Sequence, residues 1–262
     1  MPSAADDPID APSGLQLYAP LFEPRLIAPD LWMIDGDVAW MAFPGMRVPF
    51  PTRMFVIRLR SGALMVISPV TPSPALFSAI DALGRVEHLI SPNAIHYIHV
   101  ASWKARYPTA TAWASPGVEA RAASQHIAVA FDAQLQAEAP PAWAGVVEQH
   151  IFEGSPALRE VVFFHQPTRT LILTDLIENF EPQRVHHRGW RLLTRLAGTV
   201  DPDGKAPLDM RLTFCGGKAK AKASAQRLIA WEPERVLLAH GRCYLSDGAA
   251  ELRRAFRWTG AR

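Results

Sequence analysis

Three apolar runs in this chain each end on a residue that could hold a metal ion. HLIS (88–91) leads into Asn93, His96 and His99; TLILT (170–174) leads into Asp175; RVLLA (235–239) leads into His240. Imidazole nitrogen and carboxylate oxygen are the donors that zinc or iron sites use, with positions left open for water. An ion so held brings the pKa of bound water toward ~7 and polarises a carbonyl or phosphoryl oxygen. The candidate ligand set is therefore His96, His99, Asp175 and His240, with Asn93 as a helper or as a cap on its turn. Each residue also has a plainer reading. The histidines at 96 and 99 could bond backbone carbonyls, Asp175 could cap a helix, and His240 could sit satisfied in a core. Their shared place at strand ends favours one site, because side chains there converge on one rim of an α/β sheet.

Other residues could serve such a site. Asp175 could accept a proton instead of binding the ion, and Tyr97 could donate to an oxyanion. Arg242, two residues past His240, could clamp an anionic group, as could Arg53; salt bridging to a structural carboxylate is the alternative for both. Residues 184–222 carry nine lysines and arginines against three aspartates. That basic segment, with His186 and His187, reads either as a lid facing an acidic substrate or as a solvated helix face.

Competing chemistries lack their motifs. Gly216-Gly217-Lys218 is not GxxxxGK[ST], no serine lies in GxSxG, and Cys215 and Cys243 have no CxxC spacing. A net charge of +2 gives no argument for nucleic acid or membrane partners. No apolar run reaches the ~20 residues of a spanning helix. The expected partner is a small-molecule substrate, anionic if the arginines face it. The start, MPSAADDPIDAPSG, lacks a basic and apolar leader. Residues 1–20 are read as a mobile tail, and a reducing cytoplasm with free thiols is the expected setting.

Positioning these residues requires strands and helices in a particular order. LWMID, DVAWMAF, MFVIRL and ALMVIS read as strands, with turns at Pro44-Gly45 and Ser61-Gly62. TPSPALFSAIDALG reads as a helix that Thr71 or Ser73 caps and Gly84 ends. VEHLIS and TATAWASP read as strands, ASWKARYP and VEARAASQ as helices, and 131–141 as a loop. VEQHIFE, EVVFFHQ and TLILTD return to strand, with a hairpin turn at 167–169. HHRGWRLLTRLAG is amphipathic, with Trp190, Leu193 and Leu196 on one side. KASAQRLIAW, RVLLAH and AAELRRAFRW close the chain as helix, strand and helix. The pattern is mixed α/β, a sandwich of two sheets with helices outside.

The order of these segments is similar to the metallo-β-lactamase fold, and more closely to a domain-of-unknown-function branch of that superfamily. TRMFVIRL (52–59), SPV (68–70), SPNAIHYIH (91–99), VVFFHQPTRTLILTDLIENFEP (161–182), LAGTVDPDGKAPLDMRLTF (196–214) and PERVLLAHGRCY (233–244) carry the resemblance. It implies a four-layer αββα sandwich of two mixed sheets, one domain over 21–262 with a basic helical insertion near 184–222. It also implies a metal-dependent hydrolase acting on a small ester, lactone, amide or phosphoester. The sequence departs from the superfamily at informative places. Ser68 replaces an acidic residue, HxHxDH is degenerate around Asn93, His96 and His99, Tyr97 replaces a second adjacent histidine, and Glu153-Gly154-Ser155-Pro156 lacks a histidine. The remaining donors suit one divalent ion, zinc ahead of iron or manganese, rather than two. A descendant without catalysis, binding a small anion or a protein partner in the same cleft, is the alternative.

Overall fold

A computed structural model describes residues 9–11, 14–43 and 46–261. Among them the chain runs β1 (Ile9–Ala11), β2 (Leu15–Leu17), β3 (Arg25–Ala28), β4 (Leu31–Phe43), β5 (Met46–Arg58), β6 (Leu64–Ile67), α1 (Pro74–Leu83), β7 (Val86–Ile90), α2 (Val100–Arg106), β8 (Thr111–Ala114), α3 (Val118–Ser124) and β9 (Ala133–Gln134). It continues through β10 (Val147–Phe152), β11 (Glu160–His165), β12 (Thr170–Leu173), α4 (Arg188–Ala197), α5 (Leu208–Thr213), α6 (Lys218–Ala230), β13 (Arg235–Leu238) and α7 (Gly248–Ala255). Strands β3 to β9 form a seven-stranded sheet in sequence order, β10 to β13 a four-stranded sheet, and β1 with β2 a small ribbon. No described helix is long and apolar enough to cross a membrane.

Period-two alternation along the strands assigns each side chain to a layer. Met33, Phe55 and Ile57 face inward and meet Val161, Phe163, Ile172 and Leu237 of the smaller sheet. Their neighbours Ile34, Met54 and Val56 face outward, where α1 and α2 bring Leu76, Ile80 and Trp103. On the other side Val162, Phe164, Leu171 and Leu238 pack under Leu228 of α6 and Leu252 and Phe256 near α7. The layers are helix, sheet, sheet, helix, which is the expected αββα sandwich. Local chemistry matches: α1 starts where the Leu76 N–H donates to Ser73 Oγ at 3.1 Å, with proline in its first turn.

Register decides what meets at the sheet rims. β12 and β13 are parallel with Leu173 opposite Leu238, so Asp175 and His240, each two residues further on, emerge side by side. β6 and β7 are also parallel, with Ile67 opposite Ile90; Ser68 leaves one and the Asn93–His96 turn leaves the other.

Several expectations are corrected. Residues 14–20 belong to the folded body rather than to a detached tail, for Leu15 and Leu17 are only 3% and 4% exposed and pack with Phe180, Val185 and Trp190. Residues 1–8 and 12–13, also assigned to that tail, and the turn at Pro44-Gly45 lie outside the described residues. The 131–141 loop contributes the short edge strand β9. In α4 the buried side chains are Trp190 and Thr194, while Leu193 and Leu196, on the same apolar side as Trp190, stay 40% and 65% exposed.

Candidate metal centre

His96, Asp175 and His240 each offer a donor atom, and the three atoms lie within 4.8 Å of one another. Among the described residues no other three histidine, cysteine or carboxylate groups converge in this way. His240 Nε2 is 3.1 Å from Asp175 Oδ1 and His96 Nε2 is 3.3 Å from it. The imidazole rings are tilted at 5.3 Å between centroids. All three residues are nearly buried.

Each donor is aimed by a second residue. His240 Nδ1 lies 2.9 Å from the Pro51 carbonyl oxygen. A carbonyl only accepts, so Nδ1 carries a hydrogen and Nε2 faces Asp175, as a donor when the ring is protonated and as a lone pair when it is neutral. The 3.1 Å separation from the carboxylate oxygen suits a proton carried on Nε2 or a metal ion shared by the two groups. The two-histidine, one-carboxylate donor set with room for a further ligand suits a single divalent metal. His96 Nδ1 is 2.7 Å from Ser68 Oγ, so the serine that replaces an acid in the superfamily pattern fixes this ring. Asn93 is fully buried. Its amide nitrogen donates to Asp175 Oδ2 at 2.6 Å and to Thr174 Oγ1 at 2.9 Å, and its oxygen accepts from the N–H groups of Ile95 and His96. Asn93 therefore both caps the turn and holds the carboxylate, with Oδ1 beside both imidazoles and Oδ2 also 3.3 Å from His96 Nε2.

Electrostatics follow the geometry. Burial would raise the Asp175 pKa, but the two imidazoles hold it well below the carboxylate range. Burial would lower that of His96, and the Asp175 charge reverses the direction. Glu160, not anticipated from sequence, is fully buried and accepts the Thr174 and Asp175 N–H groups at 2.7 Å each. Burial and the Asp175 charge raise its pKa. Glu178 is pushed well above its ordinary value by burial, then by Asp175 and Asp209.

Turn geometry admits little change next to His240. Gly241 has φ +89°, and a Cβ there would fall 2.1 Å from the Asn179 carbonyl oxygen. Only glycine lets the chain pass this close. The Arg53 guanidinium donates to the Leu238 and Gly241 carbonyls at 2.5 and 2.8 Å and to Asp35 at 2.6 Å.

The structure separates the remaining sequence candidates from the triad. His99 lies outside the converging group: its Nε2 faces Thr71 Oγ1 at 3.4 Å, and burial lowers its pKa. Arg53 is buried in the contacts just described and cannot receive a substrate. Arg242 pairs with Asp201 at 3.0 Å in an exposed position and lines neither cavity beside the triad. His187 caps α4, its Nδ1 accepting from the Trp190 N–H at 3.2 Å. The Tyr97 ring packs with Val100, Ala112 and Val118 in a satellite core, at the edge of the first cavity. Both cysteines are free.

Two cavities flank the triad and share Met41, Phe50 and Ile95 in their walls. The first, about 290 Å³, reaches Ser68, His96, His99, His240 and Arg121. The second, about 460 Å³, reaches Asp175 and extends under α4 and α5. Leucines, not lysines or arginines, line its α4–α5 side. Of the two readings of the basic segment, this apolar wall favours the solvated helix face over a lid that turns its arginines to a substrate.

Solved metallo-β-lactamases share this architecture. The metallo-β-lactamase from Erythrobacter litoralis aligns with a TM-score of 0.60 at 10% identity, covering 97% of this chain and 99% of its own. That from Pontibacter korlensis gives 0.58 at 13% identity over 92% and 99%. The FIM-1 enzyme from Pseudomonas aeruginosa, in a mono-zinc form, gives 0.57 at 11% identity over 90% and 92%. At such identities the likeness establishes the fold. No curated protein matches the sequence. The family model described as "Domain of unknown function (DUF4336)" matches residues 31–192, more than half of the chain. On that match, and with the metallo-β-lactamase fold around it, the chain belongs to the DUF4336 family.

Proposed function

We propose that the chain is a metal-dependent hydrolase that holds one divalent ion, zinc ahead of iron or manganese, on His96, Asp175 and His240, and cleaves a small ester, lactone, amide or phosphoester. The observation that carries this reading is the buried convergence of the three donor atoms within 4.8 Å. A bound ion would supply Lewis acidity and a water acidified to a pKa of ~7. The chain's own residues do the positioning. Ser68 and the Pro51 carbonyl fix the two imidazoles, and Asn93 occupies Asp175 Oδ2. With both oxygens engaged by Asn93 and the two imidazoles, Asp175 serves as a ligand rather than as the proton acceptor. The mono-zinc form of one protein of this fold supports occupancy by a single ion. The non-catalytic alternative loses its intended anion contacts, since Arg53, Arg242 and His187 are engaged elsewhere.

Elemental analysis of protein purified without added metal tests the reading. About one equivalent of zinc, iron or manganese is expected, lost in a folded His240→Ala variant together with hydrolysis of p-nitrophenyl acetate. Less than about a tenth of an equivalent under several metal supplements would overturn it.

A further inference from the structure

The cavity under α4 and α5 differs in character from the triad it adjoins. Asp175 and Ile95 lie at its inner end. Phe50, Phe180 and Trp190 form one wall, with ring centroids 5.4 to 6.4 Å apart in tilted and edge-to-face arrangements. Such mutual packing keeps the wall in place without a ligand. At the mouth stand Leu193, Leu196, Leu208 and Leu212. Five of the nine exposed large apolar side chains among the described residues belong to α4 and α5, these four and Leu192. Concentration of exposed leucines at one opening marks a site that takes an apolar ligand. The volume, about 460 Å³, lies within the roughly 300–1,000 Å³ of small-molecule sites. No lysine or arginine lines the cavity, and its carboxylates are Asp175, Glu178 and the exposed Asp209. A polyanionic group has no counter-charge there.

We infer that this cavity binds the aliphatic chain of an acyl compound, so that the substrates are carboxylic esters with a chain of several methylenes whose carbonyl lies beside Asp175. The reaction rests on the hydrolase reading; the binding does not. In the reaction a water oxygen bonds to the acyl carbon and the acyl–oxygen bond breaks with its electron pair leaving on the alkoxy oxygen. One water proton ends on the released alcohol, and the products are a carboxylic acid and an alcohol.

Trp190 provides a direct reporter. Titration with the neutral ester methyl 12-bromododecanoate is expected to quench the fluorescence of the purified protein saturably, and the quenching is expected to disappear in Trp190→Phe. Leu193→Glu and Leu196→Glu alter exposed positions that the fold does not need, and each is expected to weaken binding about tenfold. Across p-nitrophenyl acetate, hexanoate and decanoate, kcat/KM is expected to climb by up to about fourfold per methylene. His240→Ala is expected to lose hydrolysis and keep the quenching, which separates the binding site from the metal reading. Quenching equal in wild type and Trp190→Phe, or rates that do not depend on chain length, would overturn the inference. So would a dimer, seen by sedimentation and disrupted by Leu196→Glu, in a protein that shows no quenching.

Discussion

Ser68 shows how one side chain can be committed to the candidate site. It stands at φ 56°, in the left-handed region that non-glycine residues seldom adopt, and its hydroxyl meets His96 at 2.7 Å. Ser68→Ala keeps the backbone cost and removes the contact. We expect metal affinity to fall roughly 10- to 100-fold, as with other residues that orient a ligand, with little change in unfolding midpoint. Competition with a chromogenic chelator measures this, and unchanged affinity would show that Ser68 does not orient the ligand. Strand-end logic singled out His96, Asp175 and His240 because each is announced by the apolar run before it, and the fold does bring the three together. Residues whose roles depend on distant partners were not legible. Arg53 bonds carbonyls 185 and 188 positions away, and nothing around Pro51-Thr52-Arg53 signals that. The contacts of Arg242 and His99 were hidden for the same reason: Asp201 and Thr71 are close in space only. Asn93 was visible as polar and near the histidines, but its grip on Asp175 depends on β7 and β12 ending together.

Among elements, the strands and helices were readable because alternation and capping are local. α1 follows Ser73 and Pro74, and β10 to β13 follow their apolar patterns. The parallel register of β12 with β13 was not readable, although it sets Asp175 beside His240. Buried histidines in the strands give an independent test of the folded elements. His165 ends β11, is 1% exposed, and has its pKa lowered by burial against a smaller opposing effect of Asp30. The unfolded chain takes up this proton near pH 6.5, while the folded chain resists it to lower pH. The unfolded state then binds more protons, so stability rises with pH in that window. The contribution of His165 is present above pH ~6.5 and is lost as the medium is acidified toward the folded pKa. Urea midpoints at several pH values should therefore decline below pH ~6.5, and less steeply in His165→Gln. Identical slopes in the two proteins would mean the ring is not held neutral by the fold.

The molecule as a whole divides the candidate site between its two sheets. Ser68 and the turn bearing Asn93 and His96 leave β6 and β7 of the larger sheet, while Asp175 and His240 leave β12 and β13 of the smaller. An ion coordinated by both sets would act as a rivet between halves that otherwise adhere mainly through apolar contact. Because the unfolded chain cannot reproduce that grouping, saturation at a hundredfold excess over Kd adds about 2.7 kcal/mol. For a chain of this length that corresponds to a rise of roughly 5–10 °C in Tm, reversed by chelator and absent in His240→Ala. Loss of the rivet should also be felt first where the halves part. Hydrogen exchange after chelation should accelerate at the rim ends of β7 and β12 before it does so in the centre of either sheet.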